Sequence, residues 1–240
     1  MIFQTIPQLS KTNLSFPNIN EAHESGLLAI GGDLSTKRLL KAYKHGIFPW
    51  FDDLPIKWYA PSNRMILFVN EAHFSKSLLK LIKKNEFIIK FDNDFKQTIS
   101  SCRQSYLKEG TWISQEMITS YNKLFEQGFA HSVEVWRNEK LVGGLYGVLV
   151  NNIFSGESMF HVENNASKIA MFYLIQKLKS LNINLIDSQV YTENIARYGG
   201  FEITRVNYMK LLNKNKQNLE IIGQWESNFI KGNSEAITEN

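Results

Sequence analysis

The stretch HSVEVWRNEKLVGGLYGVLVNNIFSGESMF, residues 131–160, carries the pattern of a β-meander. It contains three runs rich in strand-forming residues, HSVEVW, KLVGGLYGVLV and NIFSGESMF, joined by the short polar connections RNE and NN. Connections this short join antiparallel neighbours. An amphipathic helix, NNASKIAMFYLIQKLKSL, and a strand, INLIDSQVY, come next. The order strand, helix, strand favours a parallel, right-handed crossover, so we predict a mixed, largely antiparallel sheet.

The flanking segments predict an α+β chain in three parts. Residues 1–63 are dense in Gly and Pro and contain one short amphipathic helix, DLSTKRLLKAYKHG, which indicates a small N-terminal α/β lobe. Residues 64–212 alternate between strand and helix patterns and form the main domain, which we expect to close with a strand over EITRVNYMKLL. Residues 213–240 are a C-terminal extension whose polar end, from Gly232, we expect to be disordered.

The composition is that of a soluble protein in a reducing compartment. The 240 residues are 43% hydrophobic and 21% charged, and no apolar run approaches the length of a membrane span. The N-terminus lacks the layout of a signal peptide. The single cysteine, Cys102, excludes an internal disulfide. We therefore expect a cytoplasmic protein that is not bound to a membrane.

Two carboxylates and an amide are predicted to share one cleft. Asp187 lies in the strand after the crossover helix, and Gln189 follows two residues later, on the same face if the strand continues. Glu157 lies on the third meander strand, where alternation places it on one face with Met159. A single strand aspartate is usually explained by an ion pair, for example with Arg197 or Arg205. Three polar groups on adjoining strands instead favour an active site.

The order of elements resembles GNAT-type acyltransferases. In that fold the third meander strand and the strand after the crossover are neighbours that splay apart around a cleft. GNAT enzymes hold coenzyme A on a glycine-rich loop before the crossover helix, through free backbone amides. Here the loop is HVENNASK, which has no glycine and carries Glu163 where phosphate would be repelled. Coenzyme A is therefore a poor candidate for the acyl donor.

Several longer blocks of sequence identify a closer resemblance. The blocks GLLAIGGDLSTKRLLKAYKHGIFPWF, TWIS, HSVEVW, LVGGLYGV, FSGESMF, NASK and LIDSQV closely resemble the leucyl/phenylalanyl-tRNA–protein transferases of bacteria, colinearly from about residue 16 to residue 212. The resemblance implies a monomeric, cytosolic enzyme with a GNAT-like domain. It implies transfer of Leu or Phe from Leu-tRNA or Phe-tRNA to proteins with N-terminal Arg or Lys, which are then degraded. It implies no cofactor and no metal.

The resemblance also implies which residues hold the aminoacyl-tRNA. Trp50 and Trp112 suit stacking on the terminal adenine, which is worth ~1–3 kcal/mol per stacked base. The pocket for the aminoacyl side chain has as its walls Leu145, Phe154, Met159, Met171, Leu174 and Ile186. Flexible methionines would let one pocket accept both Leu and Phe. Without the resemblance, the two tryptophans would be read as structural packing and the six apolar residues as core.

A basic segment is the candidate surface for tRNA phosphates. Residues 74–108 contain eight Lys and Arg residues against the three acids Glu86, Asp92 and Asp94; the basic residues are Lys76, Lys80, Lys83, Lys84, Lys90, Lys96, Arg103 and Lys108. A solvated helix face explains this pattern equally well. Phosphate contacts would position the tRNA without reading its sequence, and we assign them to Lys76, Lys80, Lys83 and Lys84.

The reaction sets modest demands on the polar groups. An α-amine has a pKa of ~7.7–8.0 and a carboxylate of ordinary pKa, ~3.9, is a weak base for it, so we expect Asp187 to position the attacking nitrogen. Burial could instead raise the pKa of Asp187 and make it a base. Gln189 can align Asp187 or a carbonyl because an amide both donates and accepts. Glu157 would orient the aminoacyl amine or the basic acceptor residue.

Three rival functions remain open at this point. One is a Fem-type transferase that uses aminoacyl-tRNA on a cell-wall precursor. Another is a non-catalytic RNA-binding protein, which gives no reason for the grouping of Glu157, Asp187 and Gln189. The third is a coenzyme A acetyltransferase, which the missing glycine loop disfavours.

Overall fold

The computed structural model describes residues 5–51, 53–107, 110–216, 223–226 and 230–231. Within these ranges the chain is α+β, with two mixed sheets and helices on both faces of the larger one. No helix in the described part of the chain is both long and apolar enough to span a bilayer.

The smaller sheet belongs to the N-terminal region. Its four strands run in the order β1-β2-β4-β3, and one helix, α1, accompanies them. The elements are β1 (Gln8–Leu9), β2 (Leu27–Gly31), α1 (Thr36–Lys44), β3 (Phe48–Pro49) and β4 (Lys57–Tyr59). The side chain of Ser35 caps α1 by accepting from the backbone amide of Arg38.

The larger sheet contains the meander. Its eight strands run in the order β11-β5-β10-β9-β8-β7-β6-β12. They are β5 (Asn63–Phe68), β6 (Ile88–Phe91), β7 (Ala130–Arg137), β8 (Lys140–Val150), β9 (Ile153–His161), β10 (Leu185–Asp187), β11 (Phe201–Thr204) and β12 (Ile230–Lys231). The meander β7-β8-β9 is confirmed, and β10 pairs in parallel with β9 as the crossover predicted. All other neighbours in this sheet are antiparallel.

Helices cover the two faces of the larger sheet. They are α2 (Lys76–Lys83), α3 (Phe95–Ser105), α4 (Gln115–Glu126), α5 (Ala166–Ser180), α6 (Glu193–Ala196) and α7 (Arg205–Asn215). The crossover helix α5 packs on one face, and α3 and α4 pack on the other. Asp94 and Ser114 cap α3 and α4 by accepting from backbone amides.

The N-terminal sheet and the larger sheet share one hydrophobic cluster. Leu39 and Trp58 from the N-terminal region pack in the same cluster as Tyr121 and Tyr146 from the main sheet region. Strand β5 begins at Asn63, beside the boundary predicted at residues 63 and 64. The division into domains remains a prediction, because the packing is continuous across that boundary.

A β-bulge between β8 and β9 changes which face the third strand presents. Tyr146 pairs with Ser158 and Gly147 pairs with Gly156, so Glu157 is the extra residue. A Cβ at Gly147 would collide with the carbonyl oxygen of Ser155 and the ring of Phe154, so glycine permits the close approach. The expectation that Glu157 and Met159 share one face is therefore wrong. Phe154 and Met159 pack on the cluster beneath α5, whereas Glu157 contacts residues of the opposite cluster.

The strand predicted over EITRVNYMKLL is wrong beyond Thr204. The strand β11 ends there, and the Thr204 side chain caps α7 by accepting from the amide of Asn207. Tyr208 and Leu212, one helical turn apart, are buried in a small cluster against the sheet, and this packing outweighs the strand propensity of the segment. The helix runs three residues past the boundary predicted at residue 212.

The C-terminal extension is described only at 223–226 and 230–231. Ile230 pairs with Ile89, so β12 adds an edge strand to the larger sheet. Trp225 is buried against the sheet. The disorder predicted from Gly232 onward lies outside the described residues.

Replacing Gly143 by alanine should destabilise the contact between the meander and α5. Ala166 is the first residue of α5. The new methyl would overlap the Cβ of Ala166 and lie 3.0 Å from the carbonyl carbon of Ala166. Overpacking of this kind costs about 1–3 kcal/mol, measured as a lower midpoint of urea unfolding. Gly156→Ala is the matched control, because the nearest atom to its added methyl is 4.0 Å away. Equal midpoints for the two variants would contradict the packing described here.

Candidate active site

A cavity of about 480 Å³ opens where β9 and β10 part. The last paired residues are Ser155 on β9 and Asp187 on β10, and beyond them the chains diverge. All eight residues predicted to bind the aminoacyl end line this cavity: Trp50, Trp112, Leu145, Phe154, Met159, Met171, Leu174 and Ile186. The splayed strands of the sheet therefore enclose one largely apolar chamber.

The inner wall of the cavity is formed by strand and helix residues that belong to the core. Phe154 and Ile186 are register partners on β9 and β10, and Met171 and Leu174 are one helical turn apart on α5. All four are almost completely buried. Because these four residues lie on β9, β10 and α5 and pack within one hydrophobic cluster, the shape of this wall is fixed by the core.

The rim of the cavity is aromatic. The Trp50 side chain is 42% exposed and packs against Tyr59, with ring centroids 5.7 Å apart. Trp112 packs against Tyr106, with centroids 5.3 Å apart, and both of these rings line the cavity. Two indole faces at the mouth of an apolar chamber are suited to stacking on a flat ring.

Glu157 is the carboxylate that faces the cavity. Its Oε1 accepts from Tyr43 Oη at 2.7 Å and from Gln189 Nε2 at 3.1 Å, and its Oε2 accepts from Tyr121 Oη at 3.1 Å. Burial, with the negative charge of Glu157, raises the pKa of both tyrosines well above the usual value, so both hydroxyls keep their protons. The two hydroxyls are also 2.6 Å apart.

Burial raises the pKa of Glu157 to about 7, although the tyrosine hydrogen bonds lower it and Asp187 raises it further. The side chain is only half-buried and lines the cavity. A carboxyl group in this state changes its charge near neutral pH, at a point that a substrate can reach. It can therefore attract a cation, and it does so more strongly as the pH rises through 7.

Asp187 is fully buried and does not line the cavity. Its Oδ1 accepts from Arg64 Nε at 2.7 Å and from the amide of Gln189 at 2.9 Å, and its Oδ2 accepts from Arg64 Nη2 at 2.6 Å and Tyr208 Oη at 2.9 Å. This is a bidentate ion pair with further hydrogen bonds to both oxygens. The expected direct contact of Asp187 with the attacking nitrogen does not fit this geometry.

The guanidinium of Arg64 is enclosed on all sides. It lies 4.7 Å from the ring centroid of Phe48 and 4.6 Å from that of Tyr208, and its Nη1 donates to the carbonyl of Gly46 at 3.1 Å. Burial alone would lower the pKa of Arg64, but the Asp187 carboxylate outweighs this and raises it. The guanidinium therefore keeps its charge, and the two side chains hold each other in place.

Gln189 links the two carboxylates. Its backbone amide donates to Asp187 Oδ1, and its side-chain Nε2 donates to Glu157 Oε1. Strand β10 ends at Asp187, and Gln189 has a left-handed backbone with φ of 57°. The expectation that Asp187 and Gln189 point the same way along a continuing strand is therefore wrong. The turn directs Gln189 into the cavity and leaves Asp187 behind it.

Sequence reasoning missed Arg64, Tyr43, Tyr121 and Tyr208. The partner of Asp187 is Arg64 and not Arg197 or Arg205. Arg197 pairs with Glu193, and Arg205 donates to the carbonyl of Ala60. The available signal for Arg64 was a charged residue inside the apolar strand pattern NRMILF. The tyrosines lie in helices whose apolar faces gave no sign of a polar role.

The four predicted phosphate-binding lysines lie outside the cavity. Lys76, Lys80 and Lys83 are on α2, Lys84 ends that helix, and all four side chains are exposed. They form one charged surface on a short helix. Their contact with tRNA remains a prediction.

The loop before α5 is held by an ion pair, which offsets part of the negative charge that was expected to repel phosphate. Glu163 accepts from Arg137 at 3.0 Å, and Asn165 precedes the helix in a left-handed conformation without a side-chain cap. Among the described residues, no group of three or more His, Cys, Asp or Glu side chains could hold a metal ion.

Comparison with known proteins identifies close relatives. Residues 66–213 match the model of the leucyl/phenylalanyl-tRNA protein transferases, and residues 32–62 match the N-terminal domain of the same proteins. The leucyl/phenylalanyl-tRNA–protein transferase of Flavobacterium psychrophilum is 50% identical over 205 residues, which cover 84% of this chain and 97% of the relative. The leucyl/phenylalanyl-tRNA–protein transferase of Cellvibrio japonicus is 46% identical over 212 residues, which cover 86% of this chain and 90% of that relative.

Similarity to solved structures is weaker. L-PGS from Bacillus licheniformis aligns with 80% of this chain and 74% of its own, with 11% identity and a TM-score of 0.41. At that level the similarity carries no information about the reaction.

Asp187→Asn should destabilise the protein by about 3–5 kcal/mol, because it leaves the buried charge of Arg64 without its counter-ion. The measurement is the free energy of unfolding in urea. Glu193→Gln is the control, because its pair with Arg197 is exposed and long, at 3.7 Å, and such pairs contribute at most ~1 kcal/mol. A loss for Asp187→Asn no larger than the control would mean that the ion pair does not organise this region.

Proposed function

Because the chain belongs to the leucyl/phenylalanyl-tRNA–protein transferase family and is therefore an aminoacyltransferase, we propose that it transfers Leu or Phe to proteins whose N-terminal residue is Arg or Lys. The observation that carries this proposal is a single cavity that combines an apolar chamber, an aromatic rim and one cavity-facing carboxylate, Glu157.

The apolar chamber is the proposed site of the aminoacyl side chain. Phe154, Met171, Leu174 and Ile186 bury the branched or aromatic end of Leu or Phe, and Met159 adjusts to either because its side chain is flexible. Trp50 and Trp112 at the rim stack on the terminal adenine of the tRNA. In this proposal the ester bond lies between the rim and the chamber, beside Gln189.

Glu157 is the proposed site of the acceptor's positive charge. The long cationic side chain of Arg or Lys, or the α-ammonium group itself, is attracted by the carboxylate in its ionised form. Tyr43, Tyr121 and Gln189 fix its orientation by donating to both oxygens. An acidic N-terminal residue is repelled by the same charge, which gives selectivity for basic acceptors.

The chemical step requires little acid–base catalysis. The neutral α-amine attacks the ester carbonyl, a bond forms between nitrogen and carbon, and the bond between the carbonyl carbon and the ribose oxygen breaks. The proton lost by the amine ends on that oxygen, which leaves as the tRNA hydroxyl. Gln189 touches the reacting groups in this scheme, whereas Asp187 is a positioning residue that holds the Gln189 amide.

The wider role follows from the same proposal. We assign the main domain to the GNAT-like acyltransferases and the exposed lysines of α2 to the acceptor stem of tRNA. The enzyme acts as a monomer in the cytoplasm, where aminoacyl-tRNA is used, and takes Leu-tRNA or Phe-tRNA without a cofactor. The new N-terminal Leu or Phe then directs the acceptor to an ATP-dependent protease.

The proposal is tested by incubating the enzyme with radiolabelled Leu-tRNA and peptides that differ only at the N-terminus. Label should enter peptides beginning with Arg or Lys and should be absent from peptides beginning with Glu. Glu157→Gln should lower kcat/KM for the Arg peptide by about 10- to 100-fold, the range expected for a hydrogen bond to a charged group. Equal labelling of the Arg and Glu peptides would refute the proposed acceptor class.

The pH dependence of acceptor use should follow the ionisation of Glu157. With a pKa of about 7, the charged fraction rises from about a tenth at pH 6 to about nine tenths at pH 8. Because kcat/KM also follows the α-amine, the value at each pH is divided by that of Glu157→Gln. This ratio should increase by up to about tenfold between pH 6 and pH 8. A flat ratio would exclude Glu157 as the group that senses the acceptor's charge.

A further inference from the structure

The C-terminal extension contacts the core through Trp225. This residue lies beyond the part of the chain that the family model matches, which ends at residue 213, yet it is only 4% exposed. The amide of Gly223 donates to the carbonyl of Gly128 at 3.2 Å, and this contact brings the segment 223–226 back to the sheet. The segment 223–226, which follows the part of the chain that the family model matches, is thus built into the main domain.

Trp225 is held by a buried pair of polar residues. Its amide donates to Asp92 Oδ2 at 2.7 Å, and the same oxygen lies 2.8 Å from Nδ1 of His131. The other Asp92 oxygen accepts from the amide of Ser132 at 2.7 Å. The His131 ring stacks on the Trp225 ring with centroids 4.2 Å apart and planes 5° from parallel. Backbone and side chain of Trp225 are therefore both fixed.

On its other side, Trp225 reaches the wall of the cavity. Its ring is 5.9 Å from the ring of Phe154, with planes 28° apart, and Phe154 lines the cavity. The Nζ of Lys177 lies 5.9 Å from the Trp225 ring, and Lys177 is one turn beyond Leu174, another residue of the cavity wall, on α5. Trp225 thus fills the layer between the sheet and α5 directly behind the chamber.

We infer that Trp225 is a positioning residue that sets the width of the chamber for the donor side chain through Phe154. The ring of Phe154 has the chamber on one side and Trp225 on the other, so Trp225 prevents it from moving outward. The C-terminal extension thereby contributes to the choice between Leu and Phe. This inference rests on the proposed function, because it takes the chamber as the site of the aminoacyl side chain.

The test compares kcat and KM for Leu-tRNA and Phe-tRNA in full-length Trp225→Ala. Removal of the indole lets the ring of Phe154 move outward and widens the chamber. The Leu side chain of the donor should then lose contact with the chamber wall, whereas the larger Phe side chain of the donor should keep it. The Leu-to-Phe ratio of kcat/KM should fall by about tenfold, the low end of the discrimination that one methylene gives in an apolar pocket, and the change should be in KM. A ratio is independent of the amount of folded enzyme, so a structural defect alone would leave it unchanged.

Two further variants complete the test. Trp225→Phe keeps an aromatic ring behind Phe154 and should show the wild-type Leu-to-Phe ratio. If Trp225→Ala does not fold, the same ratio is measured for Trp225→Leu. Trp136→Ala is the matched control, because Trp136 contacts Glu134 and Lys90 and does not line the cavity. A Leu-to-Phe ratio in Trp225→Ala equal to that of the wild type and of Trp136→Ala would overturn the inference and leave the proposed function intact. A wild-type enzyme that transfers neither residue would refute the proposed function itself.

Discussion

The ion pair between Arg64 and Asp187 is the interaction on which the geometry of the site depends. It joins the start of β5 to the end of β10, and Tyr208 on α7 and the carbonyl of Gly46 after α1 complete its hydrogen bonds. A buried pair of this kind adds little net stability over an apolar substitute, but it is costly to leave incomplete. The arrangement of these four segments gives both Asp187 oxygens and all three guanidinium nitrogens a hydrogen-bond partner, and it also fixes the backbone amide of Gln189.

The two carboxylates of the site have different roles because their environments differ. Asp187 has an adjacent guanidinium and no access to the cavity, so it serves as a fixed structural anchor. Glu157 has only neutral donors around it and lies at the surface of the cavity, so burial raises its pKa to about 7. Gln189 donates to both carboxylates, so the fixed position of Asp187 also limits the movement of Glu157. The charge that faces the cavity therefore changes near neutral pH.

Local patterns in the sequence were enough for the meander and for the crossover to a parallel neighbour. They were not enough for the eight cavity residues, which the family resemblance supplied, because local patterns alone indicate core and structural packing at these positions. The partners of the carboxylates were out of reach, because Arg64 is 123 positions from Asp187 and Tyr43 is 114 positions from Glu157. The bulge at Glu157 depends on the absence of a side chain at Gly147 on another strand, which no local alternation reveals. The helix at 205–215 was missed because tertiary packing of Tyr208 and Leu212 outweighed local propensity.

The bulge explains how one short strand can serve both halves of the site. Regular alternation would place Glu157 and Met159 on the same face, and either the carboxylate would enter the apolar chamber or the methionine would leave it. The extra residue reverses the alternation between Phe154 and Met159, so both apolar side chains remain under α5. Glu157 then turns towards the tyrosines of the opposite face while it still borders the cavity. In the proposed reaction, an apolar pocket for the donor and a charged site for the acceptor thus lie within a few residues of one strand, and the tyrosine hydrogen bonds offset part of the desolvation cost of the carboxylate.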